Sequence, residues 1–245
     1  MTENQNQTQD QNADNATDQT LADRLLDAAL THVAFDGWSQ AALDAAAAEC
    51  GADPVQARAI FPRGGLDLAL AWHRRGDAAM AAALSARALA PLRMRERVAL
   101  AVRLRLEGLD REAVRRGVTL MALPHHAPEG ARALWNTADA IWNALGDTSH
   151  DGNWYTKRAI LSGVYSSTVL YWLGDSSPEQ EGTWAFLDRR VEDVMRIEKA
   201  KAEVRNSPVL SKLFALPLAV MDRARKPGGA DARLPGCWKP QSARN

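Results

Sequence analysis

The residues best suited to chemistry are the histidines, and their spacing argues against a metal. His125 and His126 are adjacent and follow Pro124. Zinc held on a helix needs ligands one turn apart, or Cys and His at fixed separations. Adjacent histidines meet neither condition, so this pair reads as a cap or loop feature. His32, His73 and His150 have no His or Cys partner at motif spacing. Cys50 and Cys237 lie far apart and form neither a CxxC pair nor a disulfide framework. No Ser/His/Asp order, phosphate-cradling glycine loop or Glu-x-x-His pair for a di-iron site occurs. The expectation is a chain with no catalytic constellation, no metal and no cofactor.

The remaining candidates bind rather than react. Trp154 and Tyr155 open a helix just after Gly152-Asn153. Neighbours on a helix point about 100° apart, so both rarely face one core. At least one should reach the surface or a groove rim, where an aromatic makes a good interface anchor. The alternative is that both plug the gap left by the preceding loop, and the residues alone leave the choice open. Lys157 and Arg158 are expected either to pair with acids of a partner or to form a solvated basic face. The apolar stripes Trp135-Ala138-Ile141-Trp142-Leu145 and Ile160-Leu161-Val164-Thr168-Tyr171-Trp172 suit a core or the wall of a ligand cavity.

The elements that must position these residues are helices. Apolar residues recur at helical spacing from Leu21 to Met221, and no period-2 run suggests a strand. Ser39 and Asp53-Pro54 read as helix starts, and Gly37 and Gly51 as stops. Helices are expected at 21–37, 39–50, 53–61 and 66–87, from Pro91 to about 110, and at 111–122, 129–145, 154–173, 179–204 and 208–224. Composition agrees with a globular protein: of 245 residues, 46% are apolar and 24% charged. Thirty basic side chains balance thirty acidic ones, which disfavours a protein that coats nucleic acid over its whole surface. No apolar run reaches transmembrane length. Residues 1–20, acidic and without Lys or Arg, fit neither a secretory nor a mitochondrial leader and read as a solvating tail. The absent leader, the cysteine usage and the Ala/Arg-rich composition suggest a bacterial cytoplasmic protein.

The first three helices, over 21–65, follow the order of a helix-turn-helix. The segment from Leu25 to Leu70 resembles the head of the TetR family of regulators, with a generic three-helix bundle as the alternative. DNA binding is a separate matter. Between Asp36 and Arg63, two cations (Arg58, Arg63) face four anions (Asp36, Asp44, Glu49, Asp53). The third helix offers only Gln56 and Arg58 to phosphates or base edges, so no nucleic-acid partner is expected.

Residues 123–187 carry rarer features in fixed order. They are Leu-Pro-His-His from Leu123, Asp139-x-x-Trp142, Gly146-Asp147-x-Ser149, and Asp151-x-Asn-Trp-Tyr-Thr-Lys-Arg158. Asp175-Ser-Ser-Pro178 and Thr183-Trp-x-Phe-Leu187 follow. This stretch is similar to the lipid-binding accessory protein family of ubiquinone biosynthesis, the ninth protein of the coenzyme Q pathway. The resemblance extends over roughly residues 21–224. It implies an all-α, TetR-family-like domain: a helix-turn-helix-like unit followed by a helical ligand-binding bundle over 66–204. It also implies a homodimer that holds isoprenoid lipid or a ubiquinone intermediate, and assistance to the di-iron hydroxylase of demethoxyubiquinone. Asp151, Trp154 and Tyr155 match the family's hydroxylase-binding patch. Ile141 and Trp142 match its neighbouring positions, with Ile141 where some members carry Met.

Past this stretch, residues 205–226 read as an amphipathic helix and 227–245 as a tail. Leu210, Leu213, Phe214, Leu216 and Met221 contribute to an apolar face. From Arg196 to Lys226 eight cations outnumber three anions. The apolar run Val209–Met221 would be about 20 Å long as helix, too short to cross a bilayer. An apolar helix in a basic context suits an anionic membrane surface, and the family resemblance implies the same contact. Packing on its own domain or in a dimer is the alternative. The expected function is therefore a non-enzymatic lipid-binding protein, peripheral to the inner face of a bacterial inner membrane. A TetR-type regulator sensing a lipid is the runner-up.

Overall fold

A computed structural model describes residues 21–149 and 152–206, with side chains at all of these except 152–153, 195 and 197–206. The two tails, Asp151 and the expected membrane-contacting residues Leu210, Leu213, Phe214, Leu216 and Met221 lie outside the described residues.

Local signals fix most helix ends. Helix α1 covers residues 21–36 and stops where Gly37 takes a positive φ of 65°. Helix α2 (Gln40–Cys50) starts at Ser39, whose hydroxyl accepts from Ala42 N–H at 3.2 Å, and ends at left-handed Gly51. Helix α3 (Pro54–Ile60) is capped by Asp53, which accepts from Val55 N–H at 2.9 Å. Leu25, Leu26, Ala29, Val33, Leu43 and Phe61 close around Trp38 to form the core of this head.

The body follows as α4 (Gly65–Ser85), α5 (Met94–Leu106), α6 (Arg111–Met121), α7 (Ala127–Ala144), α8 (Gly152–Gly174) and α9 (Glu181–Asn206). Helix α4 packs on α5 and α7, α7 on α8, and α9 bridges α8 and α5. No strand occurs among the described residues. Four starts differ from expectation by two or three residues, with α7 and α8 beginning earlier, at Ala127 and Gly152. Helix α5 begins three residues after Pro91, because the Glu96 carboxylate accepts from Arg93 N–H at 2.9 Å and so caps the helix there. Helix α9 begins at Glu181, behind a short 3-10 turn at Pro178–Gln180. The cap there is remote: Asp175 accepts from Thr183 N–H at 2.8 Å, Thr183 Oγ1 at 2.5 Å and Ser177 N–H at 2.8 Å. Those hydrogen bonds, from Thr183 first and then Ser177, hold the Asp175 carboxyl well below its usual range.

Head and body meet at Trp38. Its indole N–H donates to the Ala113 carbonyl of α6 at 3.0 Å, and its ring lies 5.4 Å from Trp72 of α4. Gly65, the first residue of α4, lies so close to the Trp38 backbone that no side chain fits between them.

Candidate functional site: a cavity and an aromatic patch

Helices α4 to α8 enclose a cavity of about 380 Å³, within the range of small-molecule sites. Its wall is mostly apolar: Trp38, Trp72, Leu109, Val118, Leu134 and Val169 all contribute. Leu170, 61% exposed although it lines the cavity, stands where the cavity meets the surface. Gly130 keeps α7 close to α6, since a Cβ there would sit 3.0 Å from the Met121 side chain.

The inner wall holds a polar network. Buried Arg105 donates from Nε to Asp77 Oδ1 at 2.7 Å and from Nη2 to the His73 carbonyl at 3.0 Å. Thr137 Oγ1 donates to Asp77 Oδ1 at 2.9 Å and lies 2.7 Å from His73 Nε2. Burial, with Arg105 adding to it, pushes His73 down to about 4. At neutral pH His73 is therefore uncharged, and Asp77 and Arg105 balance one another. The sequence carried two signals for this cluster. His73 and Asp77 are one helical turn apart, and Arg105 falls in the buried stripe of Val98, Ala101 and Val102.

The second site is the connection from α7 to α8. Arg158 is 0% exposed and donates to Asp139 at 2.5 Å, to Asp147 at 3.1 Å and to the Trp154 carbonyl at 3.2 Å. Lys157 Nζ donates to Asp147 Oδ1 and Ser149 Oγ, both at 2.7 Å, and lies over the Trp142 ring. Burial works to raise the Asp147 carboxyl, but hydrogen bonds from Lys157, Ser149 and Arg158 overcome it and hold it at about 2. The solvated basic face expected for Lys157 and Arg158 is thus corrected. Both cations are engaged by acids of the same chain, and Arg158 also packs on the Trp154 ring.

On this latch sits an aromatic cluster. Trp154 and Tyr155 meet edge to face at 4.8 Å between ring centroids, and Trp135 lies 5.9 Å and 6.2 Å from them. Trp154 is 7% exposed, while Tyr155, Trp135 and Trp142 are half-buried. Ile141 is fully buried in the main core. Trp154 and Tyr155 are therefore brought together with Trp135, which sequence reasoning placed only in an apolar stripe. Trp142 is tied to α8 through Lys157, whose carbonyl accepts from its indole N–H at 3.2 Å, and Ile141 belongs to the main core. His126 stands at the start of α7, its ring 4.0 Å from that of His125. No cluster of three or more His, Cys, Asp or Glu able to hold a metal occurs among the described residues.

Comparison with known proteins identifies this architecture. A profile of the COQ9 family matches residues 127–198, which span the latch and both flanking helices. The ubiquinone biosynthesis protein COQ9, mitochondrial, of Rattus norvegicus is 31% identical over 210 residues, covering 82% of this chain and 67% of the rat protein. The chain belongs to the COQ9 family. The corresponding protein of Bos taurus is 32% identical over 203 residues, 79% of this chain and 63% of its own length. The chain thus spans slightly less than two thirds of the bovine COQ9. The crystal structure of a TetR transcriptional regulator from Nitrosomonas europaea superposes with a TM-score of 0.57. Sequence identity there is 20%, and 71% of this chain and 97% of that chain are covered. The fold is therefore all-helical and TetR-like, as expected.

Arg58, one of the two polar candidates on α3, lies 3.6 Å from Asp44 of α2. The exposed large apolar side chain of α3 is Val55, with Gln56 and Arg58 exposed beside it. No described helix is long and apolar enough to cross a membrane.

Proposed function

We propose that the protein is a non-enzymatic lipid-binding accessory of ubiquinone biosynthesis, presenting polyprenylated quinone intermediates to the demethoxyubiquinone hydroxylase. The observation that carries this reading is the apolar cavity of about 380 Å³ inside a COQ9-family fold. Burying an isoprenoid chain there removes apolar surface from water at ~25 cal/mol per Å². A cavity of this size holds a ring and the start of a tail, so a long polyprenyl chain extends past Leu170. In this reading the protein is a homodimer. It rests on the inner face of the membrane through residues 208–224, which shortens the lipid's path through water. Deleting the gene is expected to leave demethoxyubiquinone in place of ubiquinone, measured by quinone extraction and mass spectrometry. A normal quinone pool would sink the proposal.

The hydroxylase contact in this proposal is formed by Asp151, Trp154, Tyr155 and Trp142, with Ile141, buried in the core next to Trp142, as the remaining match to the family. Tyr155 makes the better test, because it is half-buried whereas Trp154 packs against Arg158. Tyr155→Asp is expected to weaken hydroxylase capture at least about tenfold, with helical content and the thermal midpoint little changed. Undiminished co-purification of the hydroxylase would remove Tyr155 from the contact.

A further inference from the structure

The inner wall of the cavity has hydrogen-bonding capacity that the protein does not use. Tyr165 of α8 is 3% exposed and lines the cavity, yet its hydroxyl has no hydrogen-bond partner among the described residues. Beside it, the Arg105 guanidinium sits 5.9 Å from the Tyr165 ring and spends only two of its five N–H groups, on Asp77 and the His73 carbonyl. The seat for this guanidinium is built in: a Cβ on Gly76 would lie 2.6 Å from Arg105 Nη1. A hydroxyl on the cavity wall with no protein partner is available to donate to a ligand there.

The charge balance restricts that ligand. Asp77 and Arg105 cancel, and His73 is held neutral by burial. The site therefore offers donors without net positive charge. A neutral acceptor oxygen gains a hydrogen bond there, whereas a carboxylate would bring a buried charge with no counter-charge.

We infer that the cavity grips its ligand by a neutral ring oxygen, a quinone carbonyl or phenol, at the Tyr165 hydroxyl beside Arg105. The ring points inward, the isoprenoid tail leaves past Leu170, and fatty acids are rejected. Tyr165 and Leu170 lie five residues apart on α8, about 7.5 Å along its axis, which suits a substituted ring between the polar wall and the mouth. This inference rests on the lipid-binding reading above and adds the ligand's orientation and head-group selectivity.

The test uses the full chain and three probes: a short-tail ubiquinone, an isoprenoid hydrocarbon with a matched tail, and a fatty acid of similar length. Each is measured by displacement of an apolar fluorescent dye. Wild type is expected to bind the quinone about tenfold more tightly than either other probe. Tyr165→Phe removes only the hydroxyl and should keep its thermal midpoint. It is expected to weaken the quinone three- to tenfold, roughly one hydrogen bond, and to leave the hydrocarbon unchanged. Equal quinone affinity in the two proteins, or a fatty acid bound as tightly as the quinone, overturns the inference. If the hydrocarbon still binds in that case, the lipid-binding reading survives. If no probe displaces the dye from wild type, both fall.

Discussion

Arg158→Met is expected to cost about 3 kcal/mol of folding stability and to lower the thermal midpoint by roughly 6–12 °C. Arg158 is fully buried, and it holds Asp139 and Asp147 while its guanidinium lies 4.1 Å from the Trp154 ring centroid. Removing one member of a buried ion network strands the others. The loss sits at the lower end of that effect because Asp147 keeps Lys157 and Ser149. Adding Asp139→Asn removes the carboxylate that loses its cation and should recover part of the loss, a coupling read by the double-mutant cycle. A midpoint within 2 °C of wild type for Arg158→Met, roughly the effect of 1 kcal/mol or less, would show that the latch contributes little.

The same network sets an acid limit. The Asp147 carboxyl is held at about 2 in the folded state against an ordinary 3.8. A group depressed by folding contributes stability above its unfolded value, and that contribution is lost as pH falls through the folded one. The window is therefore about pH 4 down to pH 2, and the contribution is about 2 kcal/mol. Denaturant midpoints should fall across that window in wild type and fall less in Arg158→Met.

Helix ends were legible because their causes are local: Ser39, Gly51 and Asp53-Pro54 each act within four residues. For Trp154 and Tyr155 the residues left open whether one reaches the surface or both plug the preceding loop; Trp154 is buried and Tyr155 half-buried. The pairing of Lys157 and Arg158 was not legible, because their acids come from 10, 11 and 19 residues upstream across a loop whose path periodicity does not give. The cavity network joins residues separated by 28, 60 and 64 positions, so its members appeared as a scattered histidine and an unremarked arginine. Apolar spacing likewise marks a stripe as buried without saying whether it faces core or cavity. The cavity wall on α7 and α8 includes Leu134, Tyr165, Val169 and Leu170 and no member of either stripe, and most of both stripes packs in the core.

The joint between head and body gives the second large effect. Gly65→Ala is expected to cost about 3 kcal/mol or more, the upper range for overpacking, and to reduce quinone binding along with stability. A Cβ at Gly65 would lie 2.2 Å from the Trp38 carbonyl carbon and oxygen and 2.3 Å from Ser39 N. All three are backbone atoms next to the cap of α2, so no rotamer change relieves the clash. The chain must move instead, pulling the Trp38 indole from Ala113 and opening the cavity wall that Trp38 forms. Gly163→Ala in α8 supplies the opposite sign. A Cβ there meets nothing within 4 Å, so the variant should gain about 0.5–1 kcal/mol from the lower helical cost of alanine. Urea midpoints of the two variants, measured side by side, distinguish steric conflict at one contact from a general response to added methyl groups. If both shift in the same direction, the close approach of α4 to Trp38 is not what holds the head to the body.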